Sequence, residues 1–149
     1  MKLLTIELLE AVRKTYPNLK LKNEKTKARQ MMTEIIRKYC DTIPVTFVSS
    51  AAKKKAEGIN LFKMNWSDQK KFDSKRLIFH LEHKTTVRDT VKSILEGQQN
   101  TKDAIENIEF GWILKKEDAK LNEEGFRFKR DAHDDAYKKC GIRIIPSPK

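Results

Sequence analysis

The spacing of apolar residues changes partway along the chain, and this change limits the folds it can adopt. Between Ala28 and Tyr39 apolar side chains recur every three or four residues, the period of an amphipathic α-helix. From Pro44 onward they fall into short runs, and Arg76–Lys84 and Phe110–Leu114 have the pattern of strands. A chain with both periods belongs to the α/β or α+β class. We therefore predict a mixed central sheet of four to five strands flanked by helices.

Caps, helix breakers and shorter patterns predict the remaining elements. Further strands are expected at Pro44–Val48, Ile59–Trp66, Phe126–Phe128 and Ile142–Ile145. Further helices are expected after Thr5, after Thr86, and over Thr101–Ile108, Glu117–Glu124 and Asp131–Cys140. The chain has 149 residues and no repeat or long linker, so we expect a single domain spanning residues 1–149.

The charge of the chain indicates an anionic partner. It has 32 Lys and Arg against 21 Asp and Glu, a net charge of +11. Residues 1–75 carry +9 of this and residues 76–149 only +2, so the excess is concentrated as it would be on a binding face. Nucleic acid, DNA in the first instance, is the expected partner, and an acidic protein is the alternative. The basic side chains expected to contact the phosphate backbone are Lys25, Lys27, Arg29, Lys53, Lys54, Lys55, Lys70 and Lys71.

Cysteine content and hydropathy indicate a cytoplasmic protein. Cys40 and Cys140 are far apart in sequence, which does not suit a disulfide framework or a zinc knuckle. No run of 18 apolar residues is present, so no membrane contact is expected.

The predicted strand Arg76–Lys84 carries side chains that could support phosphodiester hydrolysis. Alternation along a strand places His80, Glu82 and Lys84 on the same face. A carboxylate there could help to hold Mg²⁺ or Mn²⁺, and the lysine could orient water or neutralise developing charge. Such a site needs a second carboxylate, for which Asp73 is the first choice and Asp68 the second; Glu34 could add a further oxygen ligand.

Glu82-His83-Lys84, preceded by Asp73 or Asp68, resembles the motif of the PD-(D/E)XK nuclease superfamily. The resemblance implies an αβββαβ, restriction-endonuclease-like core and a metal-dependent endonuclease that hydrolyses DNA. It implies that Asp73, Glu82 and Lys84 are catalytic and that Asp73 and Glu82 hold Mg²⁺ or Mn²⁺. An enzyme that cuts both strands symmetrically needs two such sites, so a homodimer is expected.

Other interpretations of the same residues remain open. Glu82-His83 followed by two threonines is also similar to the opening of an HNH nuclease, in which His83 would be the general base. Glu82 and Lys84 could instead form an ion pair on a solvated face. The chain would then be a non-enzymatic nucleic-acid-binding accessory protein, for example of a phage or mobile element. The two tryptophans, Trp66 and Trp112, are expected to pack in the core or at its rim.

Overall fold

A computed structural model describes residues 1–127 and 133–148, with the side chains of residues 133 and 134 excluded. The helices are α1 (Lys2–Thr15), α2 (Lys22–Cys40), α3 (Ser50–Lys55), α4 (Gln69–Phe72), α5 (Val87–Leu95), α6 (Thr101–Glu106), α7 (Lys115–Glu123) and α8 (His133–Lys139). The strands are β1 (Phe47–Ser49), β2 (Phe79–His83), β3 (Phe110–Leu114) and β4 (Ile144–Pro146). Short 3₁₀ turns occur at Tyr16–Asn18, Leu61–Lys63 and Trp66–Asp68.

Residues 1–42 and 86–108 form a compact helical unit. Here α1 packs against α2 and α6, and α2 packs against α5. Their inward faces bury Leu9, Met32, Ile36 and Ile94 completely, as the helical period requires. The hydroxyl of Thr86 accepts a hydrogen bond from the N–H of Asp89, so α5 begins at the predicted cap.

Residues 43–85 and 109–149 form a second compact unit, which contains the sheet. The strand order is β2-β3-β1-β4; β1 and β3 are parallel and the other neighbours antiparallel. On one face Phe47 and Ile113 pack with residues of α7 and α8. On the other face Phe72 of α4 packs edge-on against the rings of Phe79 and Trp112. The predicted α+β class with a mixed sheet of four strands and flanking helices is confirmed.

The strand predicted at Ile59–Trp66 is wrong. Its apolar residues alternate on both sides, so the pattern does not define one buried face. The side chain of Asn60 accepts a hydrogen bond from the N–H of Phe62 and turns the chain into the 3₁₀ segment Leu61–Lys63. The described residues between α2 and α5 therefore contain two strands, β1 and β2, where an αβββαβ core has three. The restriction-endonuclease-like arrangement and the single domain both stay predictions.

Several other boundaries are close to those predicted from sequence. The strand β3 has the predicted bounds, whereas α2 begins at Lys22 because Glu24 closes a capping arrangement with Leu21. Residues 126 and 127 lie in a turn, while residues 128–132, the rest of that predicted strand and the start of the predicted last helix, lie outside the described residues. Among the described helices none has the length and apolar character needed to cross a bilayer.

Candidate functional site

Glu82 is a buried carboxylate in the middle of the sheet unit. It lies on β2, where the residue is 5% exposed, and its partner in the register with β3 is Gly111. A Cβ at Gly111 would lie 2.0 Å from the carbonyl oxygen of Phe47 and 2.6 Å from its ring, so only glycine fits there. The ring of Phe47 packs at 6.2 Å against that of Tyr137, and the Tyr137 hydroxyl donates a long 3.5 Å hydrogen bond to Glu82 Oε1. Glu82 therefore lies beside the packed rings of Phe47 and Tyr137.

His80 and Asp118 converge on Glu82 from the same side of the sheet. The Nε2 atom of His80 lies 3.6 Å from Glu82 Oε2 and 3.6 Å from Asp118 Oδ1. One donor atom from each of the three residues lies within 4.8 Å of the others. His80 and Asp118 are partly exposed, so the cluster opens to solvent on one side.

The start of α7 positions Asp118. The Glu117 carboxylate accepts hydrogen bonds from the N–H of Leu114 at 2.8 Å and from the hydroxyl of Ser49 at 2.6 Å. These bonds tie the first turn of α7 to the ends of β3 and β1. Asp118 is the next residue and is therefore carried to the edge of the same cluster.

The donor set of this cluster fits a divalent cation. Two carboxylates and one imidazole are ligands of transition ions such as Mn²⁺, whereas Mg²⁺ prefers oxygen ligands throughout. Two ligands of one such ion lie at most about 4.2 Å apart at bond lengths near 2.1 Å. Binding would therefore contract the cluster by roughly half an ångström. A protonated His80 between two carboxylates is the alternative arrangement that the same distances allow.

Asp73 has a structural role in the connector before β2. The residue is 5% exposed, and its carboxylate accepts hydrogen bonds of 3.0 Å from the N–H groups of Leu77, Ile78 and Phe79, and one of 3.2 Å from Gln69. Burial raises the pKa of Asp73, but these hydrogen bonds outweigh it and leave the pKa below its usual value. Oδ2 accepts three of these hydrogen bonds and Oδ1 accepts the one from Leu77, so the carboxylate is bound to the connector through both oxygens.

Of the predicted acids, Asp73 and Asp68 have partners in the connector before β2, and Glu34 belongs to the helical unit. The Asp73 carboxylate binds the N–H of Phe79 at the start of β2. Phe79 precedes Glu82 by three residues, so about 10 Å of strand lies between this hydrogen bond and Glu82. Asp68 accepts from the N–H of Asn65 and pairs with Lys71, whose hydrogen bond lowers the pKa of Asp68. Glu34 is exposed on α2, in the helical unit. The structure therefore gathers His80 and Asp118 at Glu82.

Lys84 and His83 follow Glu82 but have different surroundings. Lys84 comes one residue after β2, and its ammonium donates a 3.1 Å hydrogen bond to Glu109. By alternation it is on the Glu82 side of the sheet. His83 is on the opposite side, where its ring stacks on Phe110 at 5.7 Å. The histidine of the HNH interpretation is therefore directed away from the cluster.

The predicted nucleic-acid contacts are exposed side chains for the most part. Lys25 and Arg29 lie over the ring of Tyr16, at 5.8 and 5.5 Å from its centroid. Lys70 is exposed, while Lys71 pairs with Asp68. Exposed side chains are also found at Lys27, Lys53, Lys54 and Lys55.

Sequence reasoning missed Asp118. The available signal was its place in the first turns of a predicted helix directly after β3, because a carboxylate there is carried to the end of a strand. Comparison with family models, with curated proteins and with solved structures gives no match.

Proposed function

We propose that this chain is a metal-dependent endonuclease that hydrolyses phosphodiester bonds of DNA. The observation that carries the proposal is the convergence of His80, Glu82 and Asp118 within 4.8 Å in a chain of net charge +11. A carboxylate as buried as that of Glu82 favours a proton, a cation or hydrogen-bond donors beside it. A divalent cation would supply that positive charge and a chemistry in keeping with a polyanionic substrate.

Asp118 takes the role of second carboxylate that the sequence suggested for Asp73. A cation at Asp73 would compete with the four hydrogen bonds that its carboxylate already accepts. Asp118 is partly exposed and its oxygen already lies 3.6 Å from His80. We therefore assign Glu82, Asp118 and His80 as the ligands, with Mn²⁺ preferred over Mg²⁺.

Each residue then has a separate task. A cation bound at the cluster would lower the pKa of a water molecule and offset charge on the phosphate. The Tyr137 hydroxyl restrains one oxygen of Glu82 and leaves the other directed at His80. Lys84 comes two residues after Glu82, about 7 Å further along the chain, and Glu109 holds its ammonium. It places a positive charge where a phosphate group would approach.

Exposed lysines and arginines supply the grip on the DNA backbone. Those with no ion-pair partner among the described residues include Lys53, Lys54 and Lys55 at the end of α3. Such contacts carry no sequence information, and their strength falls steeply with salt concentration. A homodimer would bring two clusters to the two strands, as proposed for symmetric cleavage.

The alternative function is non-enzymatic nucleic-acid binding. One observation favours it: the Nε2 atom of His80 lies within ion-pair distance, 3.6 Å, of an oxygen of both carboxylates. The cluster would then be an ion pair between β2 and α7, and the basic surface would bind DNA without cutting it.

A plasmid cleavage assay with Mn²⁺ or Mg²⁺ tests the proposal. We expect nicking or linearisation by the native protein and a loss of at least about 100-fold in Glu82→Gln and Asp118→Asn. Glu123→Gln, an exposed carboxylate on the same helix as Asp118, is the matched control and should cut normally. All variants should shift DNA equally in a gel. Salt-sensitive binding without cleavage under either metal would refute the nuclease and leave the binding protein.

A further inference from the structure

The connector that leads into β2 presents an arginine stacked on an exposed tryptophan. The guanidinium carbon of Arg76 lies 3.9 Å from the centroid of the Trp66 ring, and Trp66 is 48% exposed. Among the described residues no carboxylate pairs with Arg76, and its Nε atom is buried without a hydrogen-bond acceptor. The stack, and not an ion pair, therefore orients this guanidinium.

The backbone fixes the position of Arg76. Its φ of 52° is in the left-handed region, which is unusual for a residue other than glycine. The N–H of Arg76 donates a 2.8 Å hydrogen bond to the carbonyl of Asp73, and the Asp73 carboxylate holds the next three N–H groups. The conformation that places Arg76 over Trp66 is thus built into the fold before any partner binds.

The surroundings of the stack suit a polyanion that carries flat apolar groups. Lys63, Lys70 and Lys75 are exposed in the same connector, and Leu77 directly after Arg76 is 65% exposed. Planar guanidinium and indole groups bind unstacked bases by extending the stack, and neighbouring cations bind the phosphates. An acidic protein would use the charges but would leave the exposed indole unexplained.

We propose that Trp66 and Arg76 form a binding site for an unpaired nucleotide, so that the chain prefers single-stranded DNA to duplex. This inference rests on the nucleic-acid partner of the proposed function and adds the form of the substrate. Both sites lie in the sheet unit: Arg76 precedes the start of β2 by three residues, and Glu82 lies on β2, six residues after Arg76. Six residues span at most about 20 Å of extended chain, comparable to about six base steps.

Tryptophan fluorescence can test this site selectively. Trp112 is fully buried, and its Nε1 donates to the Met64 carbonyl, so only Trp66 is accessible to a ligand. Titration with an oligothymidylate in EDTA, where no cleavage occurs, should quench the emission of the native protein. Trp66→Phe should abolish the quenching, and the blue-shifted emission of the buried Trp112 should remain, which also shows that the variant is folded. Trp66→Ala should bind the oligonucleotide about 5- to 160-fold more weakly, the loss expected for one base–aromatic stack.

Two further variants separate stacking from charge. Arg76→Lys keeps the positive charge but loses the planar stack, so it should weaken single-strand binding more than duplex binding. Lys75→Gln, the exposed neighbour, should weaken both forms alike. Glu82→Gln should retain full quenching, so failure of catalysis and failure of this site are distinguishable. The proposal is overturned if Trp66→Phe leaves the quenching intact, if duplex binds as tightly as single strand, or if polyglutamate quenches equally at matched salt.

Discussion

Replacing Asp73 should destabilise the fold without removing a catalytic group. In Asp73→Ala four donors lose their acceptor. Water can reach the N–H groups of the exposed Leu77 and Ile78, but the N–H of Phe79 and the Gln69 amide are buried. Each buried donor without a partner costs about 1–3 kcal/mol, so we expect a loss of roughly 2–6 kcal/mol in the free energy of unfolding. Asp73→Asn keeps one acceptor oxygen and should lose about half as much.

The stabilisation that Asp73 contributes depends on pH. The pKa of Asp73 is lowered in the folded chain, so the carboxylate contributes its full stabilisation above the unfolded-state pKa near 3.9. That contribution disappears as the pH falls from there through the lower folded-state pKa. Urea unfolding should therefore show a large difference between native protein and Asp73→Asn at pH 7 and a diminishing difference below about pH 4.

A matched control and a clear refutation accompany this experiment. Asp68→Asn removes the other aspartate of the connector, which pairs with Lys71 at the surface, and should change the unfolding curve little. If Asp73→Asn unfolds like the native protein at pH 7 but no longer cleaves DNA, the structural role assigned to Asp73 is refuted. The original assignment of Asp73 as a metal ligand would then be restored.

Two more substitutions test the surroundings of Glu82. Gly111→Ala should lower the free energy of unfolding by about 1–3 kcal/mol or more, because its Cβ would lie 2.0 Å from the Phe47 carbonyl oxygen. Thermal unfolding measures this loss, and a near-native melting temperature would contradict the packing described. His83→Ala should retain cleavage and His80→Ala should lose it, because the two rings lie on opposite sides of β2; the reverse result would favour the HNH interpretation.

The sequence predicted elements whose signal is local. The cap at Thr86 and the apolar run of β3 can each be recognised from a few consecutive residues, and both predictions are confirmed. The strand prediction for Ile59–Trp66 is wrong because its apolar residues alternate on both faces. A hydrogen bond accepted by the Asn60 side chain stabilises a turn there instead. Such competition between a local hydrogen bond and a weak strand pattern cannot be judged from hydrophobicity alone.

The candidate site depends on contacts between distant parts of the chain. Glu82 was identified because strand alternation is local, but Asp118 lies 36 residues later and reaches it only through the pairing of β2 with β3 and the turn into α7. The sequence distance from Asp73 to Glu82 is much shorter, which favours Asp73 as the second carboxylate when only the sequence is considered. The hydrogen bonds that occupy its carboxylate come from backbone groups, and no residue pattern reveals them.

Direct binding of Mn²⁺ tests the central claim, that His80, Glu82 and Asp118 form a metal site. Titration calorimetry, or the electron paramagnetic resonance signal of free Mn²⁺, would count the ions bound per chain in the absence of DNA. We predict one Mn²⁺ per chain in the native protein and in Glu123→Gln, and at least tenfold weaker binding in Glu82→Gln and Asp118→Asn. Equal binding by all four proteins, or none by the native protein, would contradict the claim and leave the cluster as an ion pair around His80.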